Sequence, residues 1–169
     1  PQSKPLAQMG GLTATRSIGQ LSTLYGGIED MIMGLEAVFP DGTITRIRPV
    51  PRRSAGPDLR HLVIGNEGAL CFITEVTVKL FKHQPENDHY LGFTIDNMRD
   101  GFDVLRSVMV EGYRPSVARL YDHEDGRQHG FDKFAGPNPL LIFKTEGAAS
   151  IAQATSAGIT AICSRYPNC

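Results

Sequence analysis

The sequence lacks most of the short signatures that announce a function. It has no G-x-G-x-x-G, no G-x-x-x-x-G-K, no G-x-S-x-G and no H-E-x-x-H. Those absences exclude a Rossmann dinucleotide site, a P-loop, a hydrolase nucleophile elbow and a helical zinc protease site. No apolar run is long enough to span a bilayer. The net charge of -1 gives no electrostatic reason to expect nucleic acid or an anionic membrane as partner. The three cysteines, Cys71, Cys163 and Cys169, are odd in number and widely spaced, with no C-x-x-C. A disulfide framework is therefore not expected. The simpler expectation is a reduced, cytoplasmic setting, with Cys71 as a small core thiol. No secretory signal is visible, and the first residue is Pro1, so the natural N-terminus is expected to lie upstream. Metal is not expected either. His83/His89 and His123/His129 are too widely spaced for one helical face, and Asp122-His123-Glu124-Asp125-Gly126 lacks the ordered ligands of a calcium loop. That run is expected to be an acidic surface loop.

What is present is an ordinary globular chain. At 41% hydrophobic and 21% charged, its 169 residues suit one domain or two small ones. The chain is organised around residues 65–81, GNEGALCFITEVTVKLF. Phe72, Thr74, Val76, Val78 and Leu80 alternate with Glu75, Thr77 and Lys79, which predicts a half-buried strand. Before it, residues 58–63 read as a short helix capped by Asp58, with Leu59, Leu62 and Val63 on one face. A helix, a turn bracketed by Gly65 and Gly68, and a strand are expected to present a row of free backbone N–H groups, the kind of surface that binds anions.

Upstream, Gly10-Gly11 is followed by Thr13, Thr15 and Ser17. Hydroxyls beside a glycine pair suit a phosphate or a ribose; a solvated turn leading into a helix is the commoner outcome for such a run. Residues 31–39 and 43–48 read as two strands joined by a Pro40-Asp41-Gly42 hairpin turn. Residues 49–57 read as an exposed loop carrying Arg52-Arg53.

A polar stretch, residues 82–89, marks a boundary, which sets two units at 1–84 and 85–169. The second unit reads strand (90–95), helix, strand (115–121), loop, strand (140–145), helix from Ser150. Asp96 or Asn97 caps its first helix, whose apolar positions are Phe102, Leu105, Val108 and Met109. The last helix carries Ile151, Ala154, Gly158, Ile159 and Ile162 on one stripe. The order predicts an α+β layer sandwich that lacks a final strand. Arg119 lies mid-strand on the same face as Val117 and Tyr121. An arginine there needs a carboxylate or a bound anion.

Several of these stretches, taken together, carry a resemblance. GGLTATRSIG (10–19), YGGIED (25–30), PDGT (40–43), GPD (56–58) and residues 65–79 together resemble the FAD-linked oxidases of the vanillyl-alcohol-oxidase type, and within them alkyldihydroxyacetonephosphate synthase and bacterial FAD-linked oxidoreductases. RPSVARLYD (114–122) and LLIFKTEG (140–147) are similar to the cap domain of that group. The resemblance implies the second half of an FAD-binding domain over 1–84, then part of a ferredoxin-like cap over 85–169. It also implies FAD as cofactor. Gln2, Ser3 and Gln8 lie in the stretch that matches the loop touching the flavin, and the glycine pair Gly10-Gly11 that follows is a further cofactor-binding candidate. Thr15, Arg16, Ser17 and Ile18 match the diphosphate and ribityl side. Glu67, Gly68, Ala69, Leu70, Cys71 and Ile73 match the adenosine end. Ala69 stands where the family has threonine, and Cys71-Phe72 where it has glycine and a small aliphatic. Arg119 matches the family's substrate-binding arginine.

The implied function is a fragment of an FAD-dependent oxidoreductase that oxidises a hydroxy acid or similar alcohol by hydride transfer to flavin. An alkylglycerone-phosphate-synthase-like transferase and a non-catalytic flavin-binding fragment are the alternatives. The implied partners are FAD and a small-molecule substrate, with a homodimer open for the intact protein. No catalytic residue is assigned.

Overall fold

The computed structural model describes every residue except Pro1, Gln2, Lys4 and Asn168. The chain forms two compact units, residues 1–81 and 82–169.

The first unit begins with three short helices, α1 (Met9–Ala14), α2 (Ser22–Tyr25) and α3 (Ile28–Met31). They lead into β1 (Ile32–Val38), β2 (Ile44–Ile47), α4 (Arg60–Val63) and β3 (Phe72–Val78). The strands form an antiparallel sheet in the order β2-β1-β3. The Asp41-Gly42 turn closes the β1–β2 hairpin; Gly42 takes φ 83°, and Asp41 accepts the Thr43 amide at 2.9 Å. The core gathers Ile28, Ile32, Leu35, Ala37, Ile47, Val63, Ile64 and Cys71.

β1, not β3, is the buried centre of this unit. β3 is an edge, and its Phe72 is 74% exposed. The cause is a bulge. Glu36 pairs with Glu75 and Ala37 with Ile73, so Thr74 is the extra residue. One extra residue reverses the inward–outward alternation. Ile73 therefore faces the core before the bulge, and Val76 and Val78 after it, while Phe72 and Thr74 point out. Residues 58–63 also differ from expectation. Leu59 and Leu62 are exposed, and only Val63 reaches the core. Asp58 accepts the Arg60 amide at 3.1 Å, and also grips its guanidinium, whose Nη1 donates to the carbonyl of Ile32.

The second unit contains β4 (His89–Thr94), α5 (Met98–Val110), β5 (Val117–Tyr121), α6 (His123–Gln128), α7 (Asp132–Ala135), β6 (Leu140–Thr145) and α8 (Ala149–Cys163). The sheet order is β4-β6-β5, with β6 antiparallel to both neighbours. β4 and β5 are thus parallel, joined by α5 with β6 inserted between them. This is the split β-α-β arrangement. Leu91, Phe93, Ala118, Leu120, Leu141 and Phe143 point to the α5–α8 side and form the core with Val104, Val108, Ile159 and Ile162.

Asn97 caps α5 by accepting the Asp100 amide at 3.0 Å. The buried face of α5 is Gly101, Val104 and Val108, while Phe102 is exposed. Gly101 sets that rotation. A Cβ there would come within 2.7 Å of the Leu120 methyls, so its bare backbone lies against β5. Gly158 of α8 similarly seats the ring of Tyr113. The acidic run after β5 is not a loop. Asp122 accepts the Asp125 amide at 2.8 Å and caps α6, and Glu124 and Asp125 occupy its first turn, where acidic groups are favoured. Among the described residues no three His, Cys, Asp or Glu side chains group as a metal site, and no helix is long and apolar enough to cross a membrane.

Candidate functional site

In the first unit, α1 separates two grooves. One, of about 490 Å³, runs between α1 and the β3 edge and is lined by Gln8, Gly10, Gly11, Glu67, Gly68, Cys71 and Ile73, among others. The other, of about 580 Å³, lies on the Leu12 side of α1 and is lined by Ser17, Ile18, Gln20, Leu21, Tyr25 and Met31, among others. Gln8, the Gly10-Gly11 pair and four of the six residues matched to the adenosine end therefore share one groove, and Ser17 and Ile18 open on the next. Gln20 carries no sequence signal of its own, and Tyr25 is marked only as the first residue of the YGGIED stretch. Ser3, Ala69 and Leu70 line neither groove, and Gln2 lies outside the described residues.

The two loops are locked together. The amide of Gly65 donates to Thr13 O at 3.0 Å, and that of Glu67 to Ala14 O at 2.9 Å. Arg16 and Glu67 both take φ 50°, in the left-handed region. Asn66, 8% exposed, organises the turn. Its Oδ1 accepts from Gly68 N at 2.9 Å, with longer bonds from Leu70 and Cys71, and its Nδ2 donates to Val63 O at 2.6 Å. The Ala69 amide goes to Asn66 O at 2.8 Å.

The expected row of free amides is therefore not at residues 65–71. Those groups are consumed inside the turn. The hydroxyls of Thr13 and Thr15 are also turned inward, to Met9 O at 2.8 Å and Gly11 O at 2.9 Å. Arg16 is not a free cation: its Nε lies 3.3 Å from Glu29 Oε1. Among the described residues, unused donors occur instead at Ile18, Gly19 and Gln20, whose amides make no hydrogen bond within the chain. All three line the larger groove. Consecutive free amides suit anionic oxygens.

These surfaces fit parts of an FAD molecule. A Cβ at Gly11 or Gly68 would meet no atom within 4 Å, so the chain's own packing leaves open space over these two of the three glycines of the smaller groove. The Leu12, Ile18, Tyr25 and Met31 wall suits a flat apolar ring, and the Ile18–Gln20 amides suit phosphate oxygens.

In the second unit, the sheet face away from α5 and α8 carries Tyr90, Gly92 and Thr94, then Leu140, Ile142 and Lys144, then Val117, Arg119 and Tyr121. Arg119 Nη1 donates to Tyr121 Oη at 2.9 Å. Tyr121 is buried and held edge-on by Phe131, with ring centroids 5.4 Å apart. Among the described residues no carboxylate lies within ion-pair distance of Arg119. Lys144 is the opposite case. Its Nζ lies 2.8 Å from Asp88 and 2.7 Å from Glu146. Burial disfavours its charge, but the hydrogen bonds it donates to Asp88 and Glu146 outweigh that and hold its pKa above the usual lysine value.

The comparisons with known proteins agree with this geometry. The FAD binding domain family matches residues 1–48. Over all 169 residues the chain is 66% identical to an uncharacterized FAD-linked oxidoreductase, YgcU of Escherichia coli O157:H7, and spans 35% of its length. It is 36% identical over 124 residues to alkyldihydroxyacetonephosphate synthase of Caenorhabditis elegans, covering 73% of this chain and 21% of that protein. It is 31% identical over 167 residues to a mitochondrial D-lactate dehydrogenase of Arabidopsis thaliana, covering 96% of this chain and 29% of that one. A solved alkyldihydroxyacetonephosphate synthase superposes on 98% of the chain and 33% of its own, with a TM-score of 0.83 and 25% identity.

Fold and sequence thus place the chain among relatives of the FAD-linked oxidoreductases, with FAD as the cofactor. It corresponds to about a third of an FAD-linked oxidoreductase, with alkyldihydroxyacetonephosphate synthase and D-lactate dehydrogenase among its relatives.

Proposed function

We propose that the chain is a segment of an enzyme that oxidises a 2-hydroxy acid, with residues 1–84 forming part of the FAD-binding domain and 85–169 part of the substrate-binding cap. The observation that carries this is Arg119: a half-buried guanidinium on an open sheet face, fixed by Tyr121, with no carboxylate of its own. A buried or half-buried cation without a counter-ion costs stability unless an anion from outside completes it. A substrate carboxylate does so. Likeness to D-lactate dehydrogenases supports the same substrate class.

FAD, when bound, supplies the acceptor for the hydride. The chain's own residues bind and orient. The Ile18–Gln20 amides hold phosphate oxygens, the α1 and β3 walls exclude water from the ring system, and Arg119 fixes the substrate's anionic end. The enzyme is proposed to work in a reduced compartment, consistent with three free cysteines. A synthase-like transferase remains a second reading, favoured by the superposition on alkyldihydroxyacetonephosphate synthase.

The test is anaerobic mixing of the full-length flavoprotein with 2-hydroxy acids. Loss of the oxidised flavin's visible absorbance is expected. Arg119→Met is expected to raise KM about 100-fold, the scale for removing one partner of a desolvated charge pair. Unchanged flavin absorbance with every 2-hydroxy acid would overturn the oxidase reading.

A further inference from the structure

We propose that the outer face of the β4-β6-β5 sheet selects a singly charged anion, because Asp88 and Glu146 neutralise the second cation on that face. This rests on Arg119 being the substrate anchor. Among the strand residues of the face, only Arg119 and Lys144 are cations. Lys144 pairs in register with Val117, and Arg119 lies two residues further along β5. The two side chains are diagonal neighbours, roughly 7–8 Å apart at the backbone.

Had Lys144 been free, the face would offer two positive charges, a fit for a phosphate dianion. It is not free. Both carboxylates contact its ammonium, at 2.8 and 2.7 Å, and the three side chains are all more than four-fifths buried. Two carboxylates on one ammonium leave no uncompensated positive charge there. A substrate held by Arg119 therefore finds no second cation at its side.

A monocarboxylate spends its one charge on Arg119. A phosphate ester, with a second pKa of about 6, brings a further negative charge toward the triad. The attraction of one such charge to a free ammonium across this separation, forgone here, lies between the limits of bulk water and a protein surface and is worth about tenfold in affinity, or ~1.4 kcal/mol. Asp88 and Glu146 are thereby specificity residues acting through Lys144. They favour a 2-hydroxy monocarboxylate over a phosphorylated substrate.

The experiment is calorimetric titration of the full-length flavoprotein with pyruvate, a monoanion, and glycerol 3-phosphate, a dianion above pH about 7. The two probes differ in shape, so the change in their affinity ratio between proteins is the readout. The double variant Asp88→Asn/Glu146→Gln is expected to shift the ratio toward glycerol 3-phosphate about tenfold or more. Should the double variant fail to fold, Glu146→Gln alone is expected to shift it about threefold. A ratio unchanged within twofold in the folded variant overturns the proposal. Arg119→Met is the control for the underlying reading. Loss of both probes supports the anchor, whereas retention of both shows that the anchor assignment itself has failed.

Discussion

Gly65 stands directly against Arg16: a Cβ at Gly65 would lie 3.2 Å from the Cβ of Arg16. Gly65 also takes φ 83°, where a side chain is strained in any surroundings. The contact holds the loop after α1 onto the turn before β3, the two segments that border the grooves. Gly65→Ala is therefore expected to destabilise the protein by about 1–2 kcal/mol from the left-handed backbone alone. Urea unfolding measures that loss. Weaker flavin retention in the full-length protein is expected with it, because the turn carrying Glu67 and Gly68 moves.

Asn66 is the second fastener of that turn. It is buried, and its amide serves the Val63 carbonyl and the Gly68 N–H at once. Asn66→Ala removes the Gly68 partner and one of the two bonds at the Val63 carbonyl, which keeps the backbone N–H of Asn66 at 3.2 Å, so a loss of about 0.5–1.5 kcal/mol per hydrogen bond is expected. Asn66→Asp keeps the acceptor and loses the donor, so a smaller loss is expected. Equal stability of all three proteins would show that the turn is held by its backbone bonds alone.

The Asp58–Arg60 pair gives the fold an acid limb. Hydrogen bonding from the Arg60 guanidinium, opposed by burial, holds the Asp58 carboxyl at about 2. A carboxyl depressed in the folded state stabilises above its unfolded pKa of about 3.9 and loses that stability as pH falls toward the folded value. The window is thus pH ~4 down to ~2. With the side chain 28% exposed, solvent screening reduces the effect to the order of 1 kcal/mol. Asp58→Asn is expected to remove this part of the pH dependence. Identical unfolding midpoints against pH in both proteins would sink the assignment.

The order of elements was legible in the sequence, because hydrophobic spacing and turn residues report it. The hairpin turn at Asp41-Gly42, the Asn97 cap and the succession of strands and helices in the second unit all follow from local chemistry, whereas the placing of β6 between β4 and β5 does not. Where periodicity misled, a single residue changed the phase. The bulge at Thr74 reverses β3, so Phe72 faces out although it continues the apolar alternation. Gly101, which carries no hydrophobic signal, turns α5 so that Phe102 is exposed. The acidic run at residues 122–125 looks like a loop until Asp122 is seen to cap a helix. In the candidate site, glycines mark segments that line the grooves. They do not reveal which amides are consumed, because Asn66 captures the ones beside it.

Gly101→Val tests the close seating of α5. Its Cβ would press on the Leu120 methyls at 2.7 Å, and Leu120 belongs to the central packing of the second unit. Overpacking of this kind costs typically 1–3 kcal/mol. Thermal unfolding of the full-length protein is expected at lower temperature. Gly11→Ala, whose Cβ meets nothing, is expected to leave the unfolding temperature unchanged while weakening flavin binding.

Residues 1–169 alone are expected to bind FAD weakly or not at all. The chain supplies three free amides at Ile18–Gln20 and two groove walls, and Arg16, two residues before them in sequence, is already paired with Glu29. A diphosphate carries two negative charges, so most of its partners must come from elsewhere in the enzyme. Relatives are about three times longer than this chain, which leaves room for them. Titrating the isolated chain with FAD and following flavin fluorescence is expected to show no saturation below about 1 mM, the affinity of a few weak contacts. Tight stoichiometric binding would show that one wall suffices, and that the amides at residues 18–20 hold the nucleotide without a second half.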